Sequence, residues 1–201
     1  MSLFTVITGH DQYEEFTLPC INSYRKHGGP WYAILDIDSA PVYPETASLF
    51  HINNNCLAQA LNIGIAHAHL INVDWFMWLN NDTLVQAPFE YIVDTLEPDG
   101  VYSEAITERT DLSQERTIRF VSGGYFLFPM RLVSDVGKFD ENFKPFLWED
   151  VDYCMRAEDK GWKLKTVTLP IKHIKKESKF DKRRGQIYYK NLAYLLEKWD
   201  I

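Results

Sequence analysis

Three short apolar runs, each followed by residues at helical spacing, constrain this chain more than any other feature. Residues 3–8 (LFTVIT) end at Gly9, after which Phe16, Cys20, Ile21 and Tyr24 recur every three or four positions. Beyond the break His27-Gly28-Gly29-Pro30, residues 31–37 (WYAILDI) repeat the pattern and are followed by Leu57, Leu61, Ile65 and Ala68. Residues 73–79 (VDWFMWL) form the third run, too short for a core helix and apolar enough to be buried on both faces. Strands alternating with helices predict an α/β fold, a doubly wound and mainly parallel sheet covered by helices. Ligands of such sheets bind beyond the carboxyl ends of the strands.

Downstream the pattern is less regular. Strands are expected near 100–104, 117–121, 124–128 and 163–168, with helices from about 149 to 160 and about 185 to 199. With no linker or internal repeat, 201 residues read as one domain. The net charge of −7 argues against a polyanion such as nucleic acid as the partner, yet residues 172–184 (KHIKKESKFDKRR) set seven basic residues against Glu177 and Asp181. That segment is either a solvated face or a loop suited to phosphates. Three dispersed cysteines without CxxC spacing, no apolar run of about 20 residues and no signal-like start lead to the expectation of a cytoplasmic chain.

Polar residues cluster where the strands end. Thr8, Gly9 and His10 close the first, where glycine permits a ligand to approach the backbone or simply makes a turn. Asp36 and Asp38 close the second, on one side of the pleat, able to hold a metal or to cap a turn. Asn80-Asn81-Asp82-Thr83 closes the third and offers oxygen ligands for a hard divalent cation, but is also good turn and cap chemistry before a helix at Pro88. Phe146-Leu147-Trp148-Glu149-Asp150-Val151-Asp152 places three acids among bulky apolar groups, which can raise a carboxylate pKa and favour base catalysis, or can be an acidic helix start. His173, after the 163–168 strand and inside the basic segment, is a candidate metal ligand. His67 and His69, two apart on a helix, point in different directions and read as packing or surface residues. Gly123-Gly124 marks a close backbone approach or a bulge.

Taken in order, these segments resemble the inverting glycosyltransferases of family 2, which have the three-layer α/β/α GT-A fold, over nearly the whole chain. The resemblance rests on Asp36 with Ser39; on Asn54, Asn62 and Gly64, with Cys56 in a glycine position; and on Asn80-Asn81-Asp82 as the Asn-Asn-Asp form of the family's Asp-x-Asp motif. It rests further on Ser122-Gly123-Gly124, Arg131, Val136-Gly137-x-Phe139-Asp140-Glu141-x-Phe143, Glu149-Asp150-x-Asp152, Arg156, Gly161 and His173, and on the closing Tyr188, Asn191, Lys198 and Trp199.

The resemblance implies transfer of a sugar from a UDP-, dTDP- or GDP-linked donor to a glycan hydroxyl by one metal-assisted displacement. Members with Asn-Asn-Asp include many rhamnosyltransferase-like proteins. Asp150 would be the base, beside Glu149, and Asp82 and His173 would hold Mn²⁺ or Mg²⁺. Thr8, Gly9, His10, Asp36, Asp38, Asn54, Asn62, Asn80, Asn81, Lys176 and Arg183 would contact the nucleotide sugar. Gly123, Gly124, Trp148 and Asp152 would contact the acceptor. Residues 1–85 would form the donor half and 86–201 the acceptor half.

Two other readings fit parts of the chain. Leu35-Asp36-Ile37-Asp38 resembles the nucleophile loop of haloacid-type phosphohydrolases, with Asp36 phosphorylated and Asp38 as acid/base, but leaves Asn80-Asn81-Asp82, Glu149-Asp150 and His173 unused. A glycan- or nucleotide-binding domain derived from a transferase would keep the fold without turnover.

Overall fold

The computed structural model describes residues 1–9, 13–36, 48–51, 56–113, 115–174 and 182–201. His10, Asp38, Asn54 and Lys176 therefore lie outside the described residues. In chain order the strands are β1 (Leu3–Gly9), β2 (Tyr32–Asp36), β3 (Ser48–His51), β4 (Trp75–Asn80), β5 (Thr83–Val85), β6 (Gly100–Ser103), β7 (Ala105–Arg109), β8 (Ile118–Ser122), β9 (Tyr125–Pro129), β10 (Lys163–Thr166) and β11 (Ile171–His173). The helices are α1 (Leu18–His27), α2 (Leu57–Leu70), α3 (Arg131–Val136), α4 (Glu149–Asp159) and α5 (Lys182–Trp199). A single π-helical turn, Tyr13–Thr17, leads into α1, and the helix expected after Pro88 is a 3₁₀ segment, Glu90–Thr95.

Seven strands form the main sheet in the order β10-β6-β9-β4-β1-β2-β3. All neighbouring pairs run parallel except those made by β9, which is antiparallel to both β4 and β6. The expected mainly parallel α/β sheet is thus present, with one reversed strand in its middle. Two small antiparallel ladders, β5 with β11 and β7 with β8, stand beside it.

Strand pleat divides the core into two layers. Leu3, Ile7, Trp75, Met77 and Leu79 face one side with Cys20, Ile21 and Tyr24 of α1. Phe4, Val6, Phe76 and Trp78 face the other, against Leu61 and Ile65 of α2 and Tyr153 and Cys154 of α4. The same alternation carries Asn80, two residues beyond Trp78, onto the α4 side. A third cluster joins α5 to α4 through Phe143, Trp148, Val151, Met155 and Leu195.

Several local features depart from the sequence expectation, β7 and α3 among them, neither of which the residues predict. β3 adds an edge strand where none was expected, the strand near 163–168 stops at Thr166, and His173 ends a separate strand, β11, paired in register with Thr83 of β5. Among the described residues, no helix is long and apolar enough to cross a membrane.

Candidate active site

The carboxyl end of β4 turns sharply into β5, and hydrogen bonds hold that turn on every side. The Asn80 backbone N–H donates to Gly124 O at 2.9 Å, its Nδ2 reaches Gly123 O at 3.3 Å, and Thr83 Oγ1 donates back to Asn80 O at 2.7 Å. Asn81 Nδ2 donates to Thr17 Oγ1 at 2.8 Å, tying the turn to the start of α1. Cys20 packs beneath, its thiol near Asn80 O and Thr83 Oγ1; burial pushes its pKa up to about 12, which leaves it a packing group rather than a nucleophile.

Gly123 and Gly124 make this closeness possible. Gly123 has φ +144°, a conformation that side chains disfavour, and a Cβ on it would lie 2.8 Å from Glu104 Cβ. A Cβ on Gly124 would lie 2.6 Å from Thr83 Cγ2 and 3.3 Å from the His173 ring. Glu104, which the sequence reading did not single out, accepts the Gly124 N–H at 3.2 Å. Its signal in the sequence is an acid directly after a strand that ends at the ligand edge, the same logic that selected Asp36 and Asp82.

The β5–β11 pairing brings together two residues 91 positions apart. His173 Nε2 stands 3.1 Å from the Asp82 carboxylate, and the Ile174 N–H donates to Asp82 O at 2.7 Å. Both side chains are partly exposed, 18% for His173 and 32% for Asp82. One carboxylate and one imidazole suit Mn²⁺ or Mg²⁺ as two ligands of a larger set. Among the described residues no group of three His, Cys, Asp or Glu side chains gathers here, so the residues present fit such an ion only with oxygens of a bound ligand completing its shell.

Asp150 comes to the same edge from the other direction, in the first turn of α4. A cavity of about 60 Å³ is lined by Trp78, Asn80, Val121, Ser122, Gly123, Tyr125, Phe126 and Asp150. By the volume a water occupies, this space holds a few waters, enough for a hydroxyl with its neighbouring atoms but not for a nucleotide. Burial raises the Asp150 carboxyl to about 6, although it accepts the Val151 N–H at 2.8 Å and profits from the helix start. Glu149 is 2% exposed, and its Oε2 has no hydrogen-bond partner among the described residues. Desolvation first, and then the charge of Asp150, push its pKa well above the carboxylate range. Burial thus raises the proton affinity of both acids, and of the two it is Asp150 that lines the cavity.

The turn before α4 is unusual. Leu147 and Trp148, neither of them glycine, have φ +78° and +76°. Trp148 is buried, donates its indole N–H to Tyr188 O at 3.2 Å and packs on the Tyr188 ring, so it anchors the turn instead of presenting a face to an acceptor.

Other expected contacts are also redirected. Asp152 is fully buried, engaged by Arg156 Nε at 2.9 Å, Lys198 Nζ at 2.7 Å and Trp199 Nε1 at 3.0 Å. Its carboxylate joins α4 to α5, which corrects the expected acceptor contact. Asn62, expected at the nucleotide, instead exchanges hydrogen bonds of 2.9 Å with Phe139 N–H and C=O and donates to Glu141 Oε1. It pins α2 to the 139–141 loop with no group left over for a ligand. The Thr8 hydroxyl accepts the Trp78 indole N–H at 3.1 Å inside the core. Gly9 and Asp36 end β1 and β2 side by side, in register, and Arg183 lies at the start of α5.

No family model matches this chain, and no curated protein matches its sequence. Its fold is similar to the solved structure of GalNAc-T7 with UDP, GalNAc and Mn²⁺, with a TM-score of 0.69 at 12% identity over 88% of this chain. The chain spans 44% of that neighbour's length. The likeness is one of fold, and the fold is GT-A.

Proposed function

We propose that the chain is an inverting glycosyltransferase that moves a sugar from a nucleotide-diphosphate donor to a glycan hydroxyl, acting in the cytoplasm. The observation that supports this most is the shared cavity at the carboxyl edge of a GT-A sheet, where Asp150 faces Asn80 and Gly123. The donor half, residues 1–85, would seat the nucleotide along the ends of β1, β2 and β4, with Thr8, Gly9, Asp36, Asn80 and Asn81 nearest to it. Asp82 and His173 would hold Mn²⁺ or Mg²⁺, and an ion there supplies positive charge to the departing diphosphate. Arg183 and the basic segment would add to that charge. The acceptor half, residues 86–201, would place a hydroxyl in the cavity. Gly123 would border it, and Asp150 takes its proton as the oxygen attacks the anomeric carbon opposite the diphosphate.

The test is thermal stability with UDP, dTDP, GDP and their sugar conjugates, each with Mn²⁺ and with chelator, followed by transfer to a panel of glycans and NMR of the product anomer. A metal-dependent shift for one nucleotide and a product of inverted configuration are expected. No shift with any donor in a folded sample would favour a non-catalytic domain, and a product of retained configuration would remove the base role from Asp150.

A further inference from the structure

Helix α5 grips the turn that carries Asp150. Asn191, 1% exposed, uses both hydrogens of its Nδ2, donating to Phe146 O at 2.9 Å and to Leu147 O at 3.1 Å. One helical turn earlier, Tyr188 O accepts the Trp148 indole N–H. The Trp148 carbonyl in turn accepts the Asp152 N–H at 3.0 Å, the bond that opens α4. Between these anchors lie the two left-handed residues, Leu147 and Trp148, a conformation that side chains leave unless neighbours hold it. Asn191 Oδ1 has no partner among the described residues. A buried, half-satisfied amide is kept here for its two donors, which no apolar isostere supplies.

We infer that Asn191 is a positioning residue for Asp150: it locks the Leu147–Trp148 turn and thereby fixes where the first turn of α4 presents the carboxylate to the cavity. This rests on the reading of Asp150 as the base. Asn191 is buried behind the turn and does not line the cavity, so its removal should act on turnover and leave donor binding alone.

The experiment compares wild type, Asn191→Ala, Asn191→Ser and the double variant Leu147→Gly/Asn191→Ala. The readouts are kcat and KM for the donor, and hydrogen exchange of the 146–152 amides. Asn191→Ala is expected to lower kcat about 100-fold, the order reached by an ångström-scale misplacement, with donor KM within about twofold. Exchange should accelerate across 146–152 while β4 and β9 stay protected. Asn191→Ser, which retains one donor, should fall between, and it decides the matter if the alanine variant loses protection throughout. Glycine adopts a positive φ freely, so Leu147→Gly should restore at least about tenfold of the lost kcat in the alanine background. Wild-type kcat in Asn191→Ala, unchanged protection of 146–152, or no recovery with Leu147→Gly would each overturn the inference. If wild type transfers no sugar, the enzymatic reading fails, and the exchange data still decide whether Asn191 holds the turn.

Discussion

The Asp82–His173 pair and the Asp150 cavity, both at this edge of the sheet, are built in opposite ways. On the β4 side, Asp82 sits in the turn between β4 and β5 and His173 ends β11, both partly exposed and 3.1 Å apart. On the α4 side, Asp150 stands beside a fully buried acid in the first turn of α4, just after a left-handed turn wedged by Trp148 and held from behind by α5. A partly exposed pair can exchange its mutual contact for a ligand at small cost. A carboxylate mounted on strained, buried backbone cannot move, and its surroundings raise its affinity for a proton. The first side is suited to bind and release, the second to hold one geometry and accept one proton.

Several measurements would break or sharpen this contrast, and the largest effect is on pH dependence. With Asp150 raised to about 6 by burial, kcat/KM should be level above that pH and fall about tenfold per unit below it, because the base must be ionised. A profile flat down to pH 4.5 would remove the α4 side from the chemistry. Next, Asp82→Ala and His173→Ala should each abolish the Mn²⁺-dependent stabilisation by donor. For a donor at ~100 times Kd that stabilisation is about 2.7 kcal/mol, and the stability of the free protein should barely change. Persistence of the shift in both variants would mean that the pair does not hold the ion.

Asn62→Ala reads the other way. It leaves the buried Phe139 N–H without its acceptor and should cost about 1–3 kcal/mol in denaturant unfolding, with donor affinity unaltered. A lost donor affinity would return Asn62 to the nucleotide. The smallest expected effect is a gain. Because the folded-state pKa of Asp150 is raised, ionising it costs stability, fully above about pH 6 and progressively less towards pH 4. Asp150→Asn should therefore melt higher than wild type at pH 7.5, and the difference should shrink on acidification.

The strongly periodic elements were legible in the residues: β1, β2 and β4 as apolar runs, and α1 and α2 by helical spacing, with α4 and α5 expected within a few residues of where they lie. What escaped were elements too short for any period. Thr83–Val85 and Ile171–His173 are three residues each and exist because they pair with one another. That pairing, invisible along the chain, is what carries His173 to Asp82. Ser48–His51 similarly depends on the open edge of β2. Site residues divided along the same line. Asp82, Asp150 and Gly123 stand at the edge where strand ends and helix starts place them. Asn62 and Asp152 were misjudged because a polar residue on a helix does not disclose that another segment will bury it. Asp152 did carry a warning, since a residue two beyond Asp150 on a helix lies on nearly the opposite face, here towards Arg156, Lys198 and Trp199.

The most direct test sets wild type beside Asp150→Asn, both saturated with the nucleotide sugar that stabilises the protein and with Mn²⁺. Sugar transfer to acceptor and donor affinity are followed in the same samples. The expected result is unchanged donor affinity with transfer lowered by about 10²–10⁴-fold, the contribution of a positioned general base. Transfer at the wild-type rate by Asp150→Asn would contradict the assignment of the α4 side as the catalytic one.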